Sequence, residues 1–308
     1  MKRVLATCLA AIAIHGLAAD FDYGLSPREV APGTYVFEGR TEDFSVRNGG
    51  NIVNTGFIVT SAGVVVIDTG PSRRYGEQMR AAIRRVTPKP VVRVFNTHQH
   101  PDHFLGNQGY ADVGIEALPE TVQAIGKDGK RLTENMYRLN GDWMRDTEVL
   151  APRALGEAGE VQVGDHRLTL VPRSGHTGGD LAVFDHGTGV LFAGDLVFYN
   201  RAATTPHADL AQWQSALDVL ETMPYRVLVP GHGPVVQDGR AIAQTRDYLE
   251  WLAATLRHAA ERGLDMNEVM ALPLPERFRD IALADTEYRR SVTHLYPALE
   301  QAALGRPR

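Results

Sequence analysis

Residues 96–103 read Asn96-Thr97-His98-Gln99-His100-Pro101-Asp102-His103. Three histidines and an aspartate within six positions are hard to explain by packing, because imidazole and carboxylate are rarely placed together in a core without a charge to satisfy. His98 and His100 alternate, so in an extended segment both rings point the same way. Pro101 pushes the chain into a turn, and Asp102 and His103 follow it. One loop can therefore supply ligands to two adjacent sites. His and carboxylate together suit Zn, Mn or Fe(II).

Working outward, Val91 to Phe95 reads as the strand that delivers this loop. Before it, Ile52 to Thr60 and Val64 to Asp68 are β-branched runs joined by Ser61-Ala62-Gly63, a hairpin pattern. A helix is expected from about Ser72. Tyr75, Met79, Ala82, Ile83 and Val86 recur at helical spacing, and Thr87-Pro88 stops it. Ile115 to Leu118 reads as a short strand, and residues 119–150 as a helical excursion over one face. Further strands are expected at Val161 to Val163, His166 to Val171, Leu181 to Phe184, Val190 to Ala193 and Arg226 to Val229. Asp209 and Gln212 resemble a helix-capping pair, ahead of an apolar stripe of Leu210, Trp213, Leu217 and Leu220. From about 240 to 302 the pattern is helical.

Four more polar residues share one placement. Asp68, His176, Asp195 and His232 each lie just past an expected strand end, and the last three sit beside glycines. Open α/β sheets collect their ligands at that edge. Any one of them alone is weak; together with the 98–103 run they make a set.

That set resembles the metallo-β-lactamase superfamily. The likeness is carried by the HxHxDH run at 98–103, then His176, Asp195 and His232 in order, with Asp68 before the first helix. It covers roughly residues 30–240. It implies an α/β fold, a four-layer αββα sandwich with a helical C-terminal extension. The domain plan is then 1–19 as a signal peptide, 20–240 as the metallo-β-lactamase-like domain and 241–308 as the extension packed on it. By the same resemblance, His98, His100 and His176 hold one metal. Asp102, His103 and His232 hold a second, Asp195 bridges them, and Asp68 steadies the histidine loop. Two zinc ions are the expected cofactors, with Fe or Mn as other choices. The implied chemistry is hydrolysis of an ester, thioester, lactone or related bond by a metal-bridging hydroxide, with Asp102 as its catalytic partner.

Asp195 separates branches of the family, because dedicated zinc β-lactamases carry Cys or Ser at that position and glyoxalase II-like and lactonase-like members carry Asp. β-Lactamase activity, a mono-iron persulfide dioxygenase and a metal-binding accessory protein of a periplasmic redox system stay open as alternatives. The stretches Thr97 to Asn107, Ser174 to Asp180 and His294-Leu295-Tyr296-Pro297 are similar to exported zinc metallohydrolases linked to quinoprotein and sulfur-oxidation systems, which makes a periplasmic redox partner a further expectation. Tyr199, His207 and Trp143 are candidates for the substrate pocket.

Composition bounds the rest. The chain has 308 residues, 44% of them hydrophobic, with 32 Lys+Arg against 37 Asp+Glu, a net charge of −5. That is a globular composition. It argues against a nucleic-acid partner, which needs a basic surface, and points to a small-molecule substrate. Met1-Lys2-Arg3 followed by an apolar run from Val4 and by small residues before Asp20 reads as a secretory signal, so the product is expected in the periplasm or outside the cell. Losing Lys2 and Arg3 leaves 30 basic against 37 acidic residues, −7. The single cysteine, Cys8, falls inside that segment. It excludes an internal disulfide and leaves no thiolate for a metal site in the processed chain. No membrane span is expected after the signal.

Overall fold

The computed structural model describes residues 21–156 and 158–304. The expected signal peptide at 1–19 lies outside them. The chain forms two sheets. The first contains β1 (Arg28–Ala31), β2 (Thr34–Phe37), β3 (Thr55–Thr60), β4 (Gly63–Ile67), β5 (Val91–Phe95), β6 (Ile115–Ala117) and β7 (Arg153–Ala154), paired in that order. The second contains β8 (Gly159–Val163), β9 (His166–Arg173), β10 (Asp180–Asp185), β11 (Val190–Phe198) and β12 (Val227–His232), in the order β12-β11-β10-β9-β8.

Each sheet is apolar on both faces, which is why its central strands read as unbroken hydrophobic runs. In β4, Val65 and Ile67 face inward and join Val36, Ile58, Phe95, Leu168, Leu170, Val183 and Phe192 in a core between the two sheets. Val64 and Val66 face the other way. There they meet Tyr75, Met79, Ala82 and Ile83 of α1 (Arg73–Val86). This is the period-two alternation of a strand serving two layers.

The outer face of the second sheet carries Ala182, Phe184, Leu191 and Ala193. It packs against Trp213 and Leu217 of α4 (Leu210–Glu221), Leu249 and Leu252 of α5 (Arg240–Glu261), and Tyr288 and Val292 of α7 (Ala284–Leu304). One apolar cluster therefore joins residues on both sides of position 240. The result is the four-layer αββα sandwich with a helical C-terminal region. A short α6 (Met266–Met270) links α5 to α7. None of the described helices is long and apolar enough to cross a membrane.

Local rules account for the element ends. Ser72 caps α1 by accepting a hydrogen bond from the Tyr75 backbone N–H, and Arg84 and Arg85 lie in the last turn, where the helix dipole favours cations. Asp209 caps α4 through the N–H groups of Ala211 and Gln212. The Gln212 amide returns to the Asp209 carboxylate, not to its backbone, so the capping box is half made. The excursion is mostly α3 (Pro119–Asn140). The strand ends shift by a few residues from the sequence reading, and two C-terminal ends overrun it most. β11 runs on through Asp195 to Phe198, where Ala193 was the expected end, and β12 includes His232 itself. The continuation is irregular: the β11–β12 register shifts on both sides of Gly194, whose φ of +53° a glycine takes without strain.

Candidate metal centre

β5 ends at Phe95, and the next eight residues turn across the edge between the sheets. The segment after Pro101 is a helix, α2 (Pro101–Phe104), where a turn was expected. Proline suits its first position because that N–H has no helical partner to lose. His100 is the helix N-cap residue, so the chain switches from extended to helical between the two metal-ligand candidates His100 and Asp102.

The remaining candidates arrive from the second sheet. His176 follows β9, Asp195 lies within β11 and His232 ends β12. Gly231 is required by this approach. A Cβ there would sit 1.9 Å from Asp195 Oδ1, inside contact distance for any atom pair. All seven side chains are buried. His100, at 8% exposed, is the most accessible, so the centre opens toward solvent on its side.

Two groups of donor atoms emerge, each within 4.8 Å of one another: His98, His100, His176 and Asp195, and Asp102, His103 and His232. In the first, His100 Nδ1 lies 3.1 Å from His98 Nε2 and 2.8 Å from His176 Nε2. Asp195 Oδ2 lies 3.7 Å from His98 Nε2 and 3.3 Å from His176 Nε2. In the second, Asp102 Oδ2 lies 3.4 Å from His232 Nε2 and 3.8 Å from His103 Nε2. Asp195 reaches this group as well, through Oδ2 at 3.3 Å from His232 Nε2 and Oδ1 at 3.1 Å from His103 Nε2.

Ligand atoms ~2.0–2.1 Å from a tetrahedral zinc stand roughly 3.3–3.4 Å from each other, close to these separations. His103 Nε2 and Asp195 Oδ1 are buried atoms with no well-aligned hydrogen-bond partner. So many inward-facing lone pairs cost several kcal/mol to bury without a cation. The nitrogen and oxygen donor set fits Zn, Fe or Mn. No thiolate takes part.

Outer hydrogen bonds turn the rings inward. His103 Nδ1–H donates to Asp68 Oδ2 at 2.8 Å. His232 Nδ1–H donates to the Ile52 carbonyl at 2.7 Å. The Thr97 hydroxyl stands 3.0 Å from His98 Nδ1 and donates to Asp68 Oδ2 at 2.7 Å. Each bond holds the proton on the outer nitrogen and leaves Nε2 free as a ligand.

The charges follow the same arrangement. Burial, reinforced by the neighbouring imidazoles, pushes His98 and His100 well below the ordinary histidine range. Burial also opposes charge on His103, but Asp195, Asp68 and Asp102 outweigh it and hold that ring well above the range. Asp195 is held well below the carboxylate range because His232, His103 and His98 overcome its burial.

The three pocket candidates are placed differently. His207 meets the cluster directly, its Nδ1 2.9 Å from His100 Nε2. Trp143 packs on Phe21 and Tyr23, and its Nε1–H donates to the Val46 carbonyl at 2.9 Å. None of its aromatic or hydrogen-bonding contacts is with the histidine cluster. Tyr199 is half-buried against the α4–α5 core with its hydroxyl beside Arg240.

Three supporting residues escaped the sequence reading. Thr97 bridges Asp68 to the loop. Asn54 binds the Pro230 and Gly233 carbonyls at 2.8 and 2.7 Å and so shapes the turn around His232. Asp180 accepts from the Thr177 N–H and hydroxyl beside His176, and burial pushes its carboxyl up to about 6. Their only signal was a polar side chain beside or within a buried run.

Comparison with known proteins agrees with this geometry. The family model described as Metallo-beta-lactamase superfamily matches residues 48–232, more than half of the chain. A hydroxyacylglutathione hydrolase of Erythrobacter litoralis is 27% identical over 174 residues, 56% of this chain and 59% of that protein. The acyl-coenzyme A thioesterase MBLAC2 of Gallus gallus is 24% identical over 212 residues, 59% of this chain and 73% of that protein. The match thus spans less than two thirds of the first relative's length. Among solved structures, a metallo-beta-lactamase from Pontibacter korlensis superposes with a TM-score of 0.60 over 73% of this chain and 99% of that one, at 20% identity. At that identity the likeness concerns the fold.

Proposed function

The chain belongs to the metallo-β-lactamase superfamily, and from that premise we propose that it is a metal-dependent hydrolase of small-molecule thioesters. His98, His100 and His176 would hold one ion and Asp102, His103 and His232 the other, with Asp195 shared. The observation that supports this best is the position of Asp195 Oδ2, 3.3 Å from both His176 Nε2 and His232 Nε2. The preference for a thioester rests on two relatives whose names denote thioester substrates. A carboxylate at 195 where dedicated β-lactamases carry Cys or Ser points the same way.

Zinc, iron or manganese bound at such a centre supplies Lewis acidity, which lowers the pKa of water from ~15.7 towards ~7 and polarises a carbonyl. The chain's own residues do the rest. Asp195 places one negative charge between the two groups of donors. Asp68 and the Ile52 carbonyl keep His103 and His232 in the tautomer that can bind. Asp102 would both help hold its ion and orient the attacking water, whose proton passes by way of that carboxylate to the departing thiolate. A C–O bond forms as the C–S bond breaks, and the products are a carboxylic acid and a thiol.

We further read the enzyme as exported, on the Met1 to Ala19 pattern. Metal analysis of the purified chain, followed by assays on acyl-glutathione, acyl-coenzyme A, nitrocefin and, with oxygen uptake, glutathione persulfide, tests the reading. Two equivalents of metal and thioester turnover support it. One iron with oxygen uptake, or nitrocefin as the preferred substrate, overturns it.

A further inference from the structure

His100 differs from the other ring ligands. It turns Nδ1 inward, toward His98 and His176, where the others turn Nε2. Its outward atom is therefore Nε2, and it has to carry the proton. Backbone carbonyls or side-chain oxygens receive the outer protons of His103, His232 and His98. For His100 the partner is another imidazole: His207 Nδ1, at 2.9 Å. The ring planes are inclined by 37° with centroids 5.1 Å apart, as in an edge-to-edge hydrogen bond.

The segment carrying His207 is pinned on both sides. Two residues before it, the buried Thr205 donates from its hydroxyl to Ser291 Oγ of α7 at 2.7 Å, and its carbonyl accepts from the Ala208 N–H. Two residues after it, the Asp209 N–H donates to the Gly175 carbonyl at 2.9 Å, next to His176, while its carboxylate caps α4. A loop held at α7, at α4 and at the His176 turn has little freedom to move the ring it carries.

We propose that His207 is a positioning residue of the metal centre: it accepts the Nε2–H of His100 and so fixes the ring that presents Nδ1. This rests on the reading of His100 as a ligand. It also gives the C-terminal helix a role at the site, because Ser291 anchors the loop that holds His207. With His207 Nδ1 engaged as acceptor, its own proton is on Nε2, directed away from His100.

Cobalt(II) titration of the metal-free chain, read by visible absorption and by competition with a chelator, tests this. Outer-shell partners of metal-bound histidines are worth about 10–100-fold in affinity. His207→Ala is expected to weaken binding of one equivalent by about that factor and to alter the cobalt absorption bands. His207→Asn, whose amide Oδ1 takes the place of Nδ1 and can accept the same hydrogen bond, is expected to recover most of both. If the alanine variant does not fold, His207→Phe keeps the ring volume and removes the acceptor. Parental affinity and spectrum in the Ala or Phe variant would overturn the proposal, as would an Asn variant no better than either. A parent chain that binds no cobalt refutes the centre itself, an outcome separate from a variant that binds like the parent.

Discussion

Asp68 Oδ2 accepts a hydrogen bond from His103 Nδ1 at 2.8 Å across 35 residues of sequence. Asp68 stands at φ +56°, a left-handed conformation uncommon for a residue other than glycine. Its other oxygen accepts the Thr97 N–H at 2.7 Å. One residue at the end of β4 thus sets both the start of the histidine loop and the orientation of its last ring.

Asp68→Asn keeps the size and removes the charge that favours the Nδ1–H tautomer of His103. Metal affinity on the His103 side is expected to fall about 10–100-fold, with a smaller loss at the other site, which Asp68 reaches through Thr97 and His98. Chelator competition with stepwise loading separates the two. An unchanged second binding constant would remove Asp68 from its assigned role.

Gly231→Ala places a methyl where Asp195 Oδ1 now lies, 1.9 Å from the ideal Cβ. The carboxylate has to move, and the β11 backbone has to give slightly, because the Gly194 carbonyl carbon and the Asp195 nitrogen lie 2.8 and 2.9 Å from the same Cβ. A displacement of 1 Å in a catalytic arrangement costs on the order of 10²-fold, so turnover should drop by about that factor while circular dichroism stays native. Parental turnover would mean that Asp195 does not need its present position.

Asp180 supplies a pH test in the metal-free chain. Its folded carboxyl is raised to about 6 by burial, above the ~3.9 of an unfolded chain. A raised folded value means stabilisation at low pH that is lost as pH climbs through about 6. Urea midpoints of the parent, minus those of Asp180→Asn, should therefore fall between pH 4 and pH 7, by roughly 2–3 kcal/mol in free energy. A flat difference would contradict the assignment.

Glu287 of α7 is fully buried beside Arg201 at 3.4 Å and is also reached by Arg290 at 2.9 Å. Removing one partner of a buried pair leaves the other uncompensated, at about 3–5 kcal/mol. Glu287→Ala should lose that much in urea unfolding, whereas the exposed pair Arg289–Asp285 should contribute under about 1 kcal/mol. Equal losses would show that the pair is not as buried as described.

Much of this was legible in the sequence for a physical reason. Val64 to Ile67 is apolar on both faces, so a strand between two layers was readable from residue type alone. The stop at Thr87-Pro88 and the helix start at about Ser72 were local. The 98–103 run was legible because its chemistry has few uses other than binding metal. What escaped was non-local. Asn54 shapes the 230–233 turn from about 175 residues away, and no pattern around it marks that role. The extension of β11 past Gly194 also depends on β12, which the sequence near 194 does not show. Trp143 read as a substrate-pocket candidate because an aromatic in a polar helix stands out; its ring is engaged with Phe21 and Tyr23.

The central claim is a two-site centre that shares Asp195. The most direct measurement is the metal-to-protein ratio, by mass spectrometry, of the parent chain and of His232→Ala after equilibration with zinc and removal of loosely bound ions. The account predicts two equivalents in the parent and one in the variant. A single equivalent in the parent, or two in both, would contradict it.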